Sequence, residues 1–254
     1  IRDSYTTLTV VALYGNYMLI VMGVQTLMTA MFNSMNAGIG NLVAEGDKRK
    51  IMSVFAELFS IRFLFSCIMC FGVLMITPAF VSFWIGKKYV MDSLSLLLMT
   101  AILFVNLSRT TVDAYINAYG LFGDIWAPIV EASLNVGLSI ILGYYFGLHG
   151  VLSGVLISLL LVVFCWKPYY LFRKGLDERL SIYIFMYARH LMAALLCGVI
   201  VCLGMRYSMV QGDTTFFDGL LGILVFSILS TLTLLCVAPG MRNLMRRFIR
   251  MCHV

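Results

Sequence analysis

Seven apolar runs recur along the chain, each close to the roughly 20 residues that an α-helix needs to cross the hydrocarbon core of a bilayer. Only 12% of the 254 residues are charged and 61% are hydrophobic, whereas soluble domains have about 25% charged and about 45–50% apolar residues. The pattern predicts an all-α polytopic transmembrane helix bundle and excludes an ordinary water-soluble enzyme. The predicted spans are residues 8–32, 61–80, 95–119, 126–146, 149–171, 183–206 and 216–238.

Basic residues are distributed unevenly between the two sides of this predicted bundle. Ten fall in one set of alternate connections and four in the other, and cytoplasmic connections usually carry the excess of Lys and Arg. The ten are Lys48, Arg49, Lys50, Arg173, Lys174, Arg179, Arg242, Arg246, Arg247 and Arg250. We therefore expect the N-terminus of the chain to face outward and its basic tail, residues 239–254, to be cytoplasmic. The net charge of +6 is accounted for by basic residues in the connections between spans, so we expect no nucleic-acid partner.

The chain starts at Ile1 rather than at Met, and no basic segment precedes its first apolar run. We therefore expect it to be a piece of a longer membrane protein and to form a single transmembrane bundle over residues 1–254. Between residues 33 and 59, amides and glycines dilute the apolar pattern. We interpret this region as the first helix continuing into a water-facing segment.

Cysteine and glycine patterns have structural interpretations. Cys67 and Cys70 form a C-x-x-C motif, but no second Cys pair or His cluster follows at the spacing of a zinc site. Buried thiols are therefore favoured over a redox or metal site, and no metal or cofactor is expected. Gly143 and Gly147 form a G-x-x-x-G motif just before Gly150. We attribute that motif to close helix packing rather than to dimerisation.

The third predicted span carries a polar stripe. At 100° per residue, Asn106, Arg109, Asp113 and Asn117 fall within an arc of about 80° on one face of the helix. Lipid cannot satisfy such groups, so the stripe must face other helices or water. Arg109 and Asp113 are four residues apart and can pair. Two interpretations remain open: a structural ion pair that joins helices, or part of a hydrated cavity that binds substrate.

Other polar residues fall within or near the spans. Asn33 continues a series of uncharged polar residues on the first helix, and we include it among the candidate cavity residues. Glu131, near the start of the fourth span, is a candidate with Asp113 for ion coupling, although it could simply be solvated. Three further cations lie near the predicted cytoplasmic ends of spans, where long side chains usually reach the headgroups. We expect this of Arg62, Lys167 and Arg189.

Several strings, in their order and spacing among the spans, resemble the Wzx-type polysaccharide flippases, which belong to the multidrug/oligosaccharidyl-lipid/polysaccharide exporter superfamily. The strings are Val11–Tyr17, Phe32–Asn41, Phe83–Gly86, Asp124–Trp126 and Gly147–Val151. The resemblance implies a transporter of 12 to 14 helices in two bundles around a central cavity, of which this chain would be the C-terminal bundle. The missing N-terminal half would be its partner.

The resemblance also implies a function. Such proteins move a polyprenyl-diphosphate-linked oligosaccharide across the bacterial cytoplasmic membrane for surface polysaccharide assembly. The resemblance therefore implies contact with membrane lipid and with other glycan-assembly membrane proteins. An alternative is a drug or cation exporter of the same superfamily, although Arg109 argues against an anionic cavity. A membrane enzyme of glycan assembly is less favoured, because the chain has neither a sizeable outer loop nor an intramembrane catalytic His. We therefore expect a transporter rather than an enzyme.

Overall fold

The computed structural model describes the backbone of residues 2–123, 125–209 and 216–252, and the side chains of residues 10–123, 125–205 and 218–250. No β-strand occurs in these ranges. The helices are α1 (Arg2–Glu45), α2 (Lys48–Trp84), α3 (Ser93–Ser108), α4 (Thr110–Ala118), α5 (Trp126–Leu159), α6 (Lys167–Leu171), α7 (Leu180–Met209), α8 (Phe216–Val237) and α9 (Pro239–Cys252). A short 3-10 turn covers Lys87–Tyr89, and π-helical stretches cover Leu160–Trp166 and Phe172–Leu176.

Six helical stretches among the described residues are long and apolar enough to cross a membrane. The fourth, Trp126–Leu176, is 51 residues long and reverses direction at Gly147, whose φ of 58° and ψ of −135° are not helical. A Cβ on Gly150 would lie 1.9 Å from the carbonyl oxygen of Leu142. The two arms therefore pack antiparallel with their backbones in contact. The fourth stretch accounts for two predicted spans, and the predicted all-α, multi-pass membrane bundle is confirmed.

Helix α2 is central and packs against α1, α3, α4, α7, α8 and α9. Its side chains Phe55, Phe59 and Phe63 are all nearly inaccessible to solvent. They form edge-to-face pairs with neighbouring rings, such as Phe55 with Tyr115 at 5.0 Å between centroids and Phe63 with Tyr187 at 5.4 Å. Such pairs add to the stabilisation from apolar burial and fix how the rings orient. This aromatic core holds α4 and α7 against α2.

Connections alternate between two ends of the bundle. At one end Lys48 pairs with Asp177 at 2.9 Å, and both Lys48 and Pro239 line one groove. The junctions between α1 and α2, before α7, and between α8 and α9 therefore meet at this end, which we call the basic end. At the opposite end Asp92 contacts His149 at 2.8 Å. This arrangement matches an up-and-down order of spans.

Helices α1 and α2 extend farther than the predicted spans. Helix α1 continues through the amide-rich segment to Glu45, as the sequence indicated. A turn at Gly46, with φ of 74°, follows it. Asp47 then caps α2 by accepting hydrogen bonds from the amides of Arg49 and Lys50, so α2 starts 13 residues before its predicted span. The two helices form a hairpin that reaches beyond the apolar region at the basic end.

The basic tail also has a regular structure that the sequence interpretation did not include. It forms α9, in which Met241 and Leu244 pack with Leu64 and Leu234. Arg247 pairs with the buried Glu57 of α2 at 3.3 Å. The helix therefore docks on the bundle through one apolar side and one ion pair.

Candidate functional site: a charged cluster on α4, α5 and α6

A local irregularity in the third span positions Arg109 between α3 and α4. We call this interruption the bend and attribute it to the hydroxyls of the two neighbouring residues: Ser108 donates to the carbonyl of Val105 at 3.2 Å, and Thr110 donates to the carbonyl of Leu107 at 2.8 Å. Hydroxyls that bond back to the preceding turn often bend helices. Backbone bonds continue on both sides, because Arg109 donates to the Val105 carbonyl and its own carbonyl accepts from Asp113. The polar stripe therefore persists across the bend.

Four charged side chains form one chain of contacts beside this bend. The Arg109 Nε lies 3.3 Å from Asp113 Oδ2, and its Nη1 lies 3.8 Å from Glu131 Oε1. Lys167 Nζ lies 2.9 Å from Asp113 Oδ1. The order is Lys167, Asp113, Arg109, Glu131, with two positive and two negative charges, so the cluster is formally neutral. It links three segments of the chain that are distant in sequence.

Lys167 reaches the cluster from the start of α6, at a π-to-α junction. The next residue, Pro168, has no N–H to donate and its ring crowds the preceding turn, which a wider π-helical turn relieves. We infer that this widening aims Lys167 toward α4. The expectation that Lys167 extends to the headgroups is wrong in this structure, because its side chain is 17% exposed and ion-paired.

The cluster is partly accessible and lies inside the apolar region. Arg109, Asp113 and Glu131 have side-chain exposures of 30%, 28% and 22%. Arg109 precedes the end of α4 by nine residues, which is on the order of 14 Å along the axis, and Glu131 follows the start of α5 by five residues, on the order of 8 Å. The site is therefore close to the basic end, on the flank of the bundle.

The amides of the predicted site have different environments. Asn106 is partly exposed and donates to the carbonyl of Ile102 in its own helix at 3.1 Å. Asn117 and Asn33 are exposed, on α4 and on α1. The predicted residues Arg109, Asp113 and Glu131 are thus brought together by direct contact, while the amides lie along the exposed surface of α1, α3 and α4, helices that contact one another.

Arg62 is fully enclosed, contrary to the expectation that it reaches the headgroups. It is 2% exposed and donates to the Thr110 carbonyl at 3.0 Å and to Asn36 Oδ1 at 2.9 Å. Its guanidinium lies 5.3 Å from the centroid of the Phe32 ring. The expectation failed because α2 starts at Lys48, which puts Arg62 four helical turns from the helix end. Arg62 joins α1 and α2 to the bend that carries Arg109.

Two other features have structural roles. His190 is fully buried, with Nδ1 2.7 Å from the Met186 carbonyl and Nε2 2.9 Å from Ser60 Oγ, so it is a packed histidine. Cys67 and Cys70 are free and buried, as the C-x-x-C interpretation favoured. Among the described residues, no group of three His, Cys, Asp or Glu side chains has the geometry to hold a metal ion.

Comparisons with known proteins do not assign the chain to a family. No family model, curated protein or solved structure matches it.

Proposed function

We propose that this chain is part of a flippase that moves a polyprenyl-diphosphate-linked oligosaccharide across the bacterial cytoplasmic membrane. The observation that carries the proposal is the partly exposed cluster of Arg109, Asp113, Glu131 and Lys167 inside apolar helices. Charged groups are costly at membrane depth, and they mark substrate or ion pathways by default. The sequence strings that resemble those of Wzx-type flippases indicate which substrate class to test.

The chemistry of the cluster suits a lipid-linked diphosphate. The oligosaccharide and diphosphate cannot lose their water to hydrocarbon at low cost, whereas the polyprenyl tail can remain in lipid. Arg109 offers a planar fork of donors that matches phosphate oxygens, and Lys167 adds a second cation. In this structure, the Asp113 carboxylate pairs with both Arg109 and Lys167. A diphosphate would replace that carboxylate, and Asp113 would return when the substrate leaves.

The proposed architecture also accounts for the polar surface of α1. Asn33, Asn36 and Asn41 are exposed on this helix, and lipid cannot satisfy amide groups. In the proposal, the N-terminal half of the transporter covers this surface and encloses a water-filled cavity. The excess of Lys and Arg supports a cytoplasmic location for the basic end. In the proposal, the N-terminus of the chain therefore faces outward and the cluster lies in the cytoplasmic half of the membrane.

The second candidate function is an ion-coupled drug or cation exporter. The presence of two carboxylates, Asp113 and Glu131, in the cluster favours it, because either one could exchange a proton or bind a cation. In the flippase proposal these same two residues supply ion coupling. The two functions differ in the role of Arg109, which binds substrate in a flippase and would repel a cationic drug.

Reconstitution of the natural full-length protein in proteoliposomes tests the choice. Arg109→Ala should slow translocation of a fluorescent polyprenyl-diphosphate oligosaccharide at least tenfold at equal protein content. The matched control is Lys174→Ala, which removes an exposed cation from the same end of the bundle and should leave the rate within about twofold. A wild-type rate for Arg109→Ala would remove Arg109 from the substrate site. Faster export of a cationic dye by the same variant would favour the drug exporter.

A further inference from the structure

A second polar site lies at the basic end, away from the charged cluster. Where α2, α7 and α9 begin, they enclose a groove of about 810 Å³. Arg49 and Arg189 supply the positive charge of its lining, and Ser181 and Asn243 supply neutral polar groups. The groove is built from three segments that are distant in sequence, and nothing in the proposed transport cycle uses it.

The two arginines that line this groove lack carboxylate partners among the described side chains. Neither Arg49 nor Arg189 has a described carboxylate oxygen within 4.0 Å, and the Nε of Arg189 is buried without a hydrogen-bond partner. Glu178 is the acidic residue of the lining, and the other lining cation, Lys48, pairs with Asp177. The groove therefore has an excess of positive charge.

The other wall of the groove is apolar and open to the surroundings. Ile182 and Phe185, both on α7, line it with exposures of 41% and 69%. A soluble anion needs only the cations, whereas exposed apolar side chains beside the cations fit a ligand with an acidic head and hydrocarbon tails. The two walls thus match the two parts of an anionic phospholipid.

The depth of the groove agrees with this ligand. The lining residues of α7 and α9 lie near the ends of apolar runs, which begin at about residue 183 and end at about residue 238. Those of α2, between Lys48 and Ala56, precede the apolar run that begins at about residue 61. The groove therefore lies on the headgroup side of the boundary with hydrocarbon. Helix α9 has the pattern of an interfacial helix. Its Met245, Phe248 and Ile249 are exposed beside the arginine-bearing side.

We propose that this groove binds an anionic phospholipid of the same leaflet, with the phosphate beside Arg49 and Arg189 and the acyl chains along Ile182 and Phe185. Bound lipid would balance the charge of the two arginines and hold α9, which supplies Asn243 to the lining, at the membrane surface. The proposal does not depend on the transport function.

Native mass spectrometry of the natural full-length protein, titrated in detergent with phosphatidylglycerol or phosphatidylcholine, tests this site. Wild-type protein should bind phosphatidylglycerol more tightly. A basic residue near an anionic surface contributes about 1 kcal/mol, which is about fivefold in affinity. The variant Arg49→Gln/Arg189→Gln should therefore bind phosphatidylglycerol about 25-fold more weakly. Arg49 is exposed, so Arg49→Gln alone should fold normally and lose about fivefold in affinity.

The matched control is Arg173→Gln/Lys174→Gln, which removes two positive charges from the same end outside the groove and should change the affinity less than twofold. Equal losses of affinity in both double variants would mean that the overall charge of the basic end attracts the lipid. That result would contradict a specific site in the groove. Unchanged binding by Arg49→Gln would contradict the proposal as well. Equal competition by soluble glycerol phosphate would assign the groove to a free anion and overturn the lipid. Binding of an acidic protein in preference to lipid would contradict the proposal as well.

Discussion

Arg62 contacts the turn of the third span that contains Arg109, but the two arginines differ in burial and in their partners. Arg62 is 2% exposed and bonds to neutral acceptors, the Thr110 carbonyl and the Asn36 amide oxygen. The Arg109 side chain is 30% exposed and contacts two carboxylates, those of Asp113 and Glu131. One arginine is enclosed without an acid in contact, and the other is accessible with its charge balanced.

The difference in burial determines how easily each arginine can exchange its partners for water or a ligand. A buried cation is costly unless its surroundings hold acceptors against it. Both terminal nitrogens of Arg62 have acceptors and its Nε has none, so Arg62 depends on α1, α2 and the helix bend keeping their positions. Partners of a partly exposed cation can be replaced by water or by a ligand at lower cost. We therefore assign Arg62 to holding the bend in place and Arg109 to ligand exchange.

The largest expected effect is on stability at Arg62. Arg62→Ala removes two hydrogen bonds and a ring contact and leaves a cavity, which should lower the free energy of unfolding by about 3 kcal/mol. Arg62→Met fills most of the volume without burying a charge, so its loss should be less than half as large. Thermal unfolding in detergent measures both. Equal melting temperatures for Arg62→Ala and the wild type would end the assignment of Arg62 to the bend.

A smaller effect is expected in the cluster. A double-mutant cycle of Lys167→Met and Asp113→Asn should give a coupling energy of about 1 kcal/mol, because the pair is short but partly screened by solvent. The same cycle between Lys167 and Glu131 should give about 0.3 kcal/mol or less, since they share no contact. A coupling energy of about 3 kcal/mol between Lys167 and Asp113 would indicate that their ion pair is as important for stability as the contacts of Arg62. The proposed contrast between the buried Arg62 site and the exchangeable cluster would then be wrong.

The smallest effect is expected at the end of the bundle opposite the basic end. There the exposed contact of Asp92 with His149 serves as a reference. Burial raises the pKa of Asp92, but hydrogen bonds from His149 and Ser95 outweigh it and lower the pKa from 3.8 to about 2. The unfolded chain takes up this proton near pH 3.8. The stabilisation is therefore present above about pH 4 and is lost as the pH falls toward 2.

Melting temperatures between pH 6 and pH 2.5 should show this loss in the wild type and less of it in Asp92→Asn. The difference should be small, because the side chain of Asp92 is 54% exposed. If Asp92→Asn lost as much stability in acid as the wild type, the contact with His149 would not be the cause.

Local patterns in the sequence predicted much of this structure. The apolar runs predicted the seven spans, the glycines around Gly147 predicted the tight packing of the α5 arms, and the spacing of four predicted the pair of Arg109 with Asp113. Each of these features depends on neighbours within a few turns. The contact of Arg109 with Glu131 depends on which helices lie side by side, and helical spacing contains no such information.

Two errors have identifiable causes. The apolar run that starts at residue 61 predicts a helix end close to Arg62. The helix instead starts at Lys48, where Asp47 caps it, and its first turns are partly polar. The tail was interpreted only as basic, although Met241, Leu244, Met245 and Phe248 recur at spacings of three and four. That period is the signal of an amphipathic helix, and it predicts α9 without the structure.

The central claim is that the cluster faces water rather than acyl chains. The most direct test is labelling of single cysteines at Asn106 and Asn117, which flank the cluster, in the full-length protein with its native cysteines replaced. Both should react with a membrane-impermeant maleimide in intact membranes, and a control cysteine at Leu195, exposed on α7, should react only after detergent is added. If the cysteines at positions 106 and 117 also required detergent, the cluster would face lipid and the proposed pathway would be wrong.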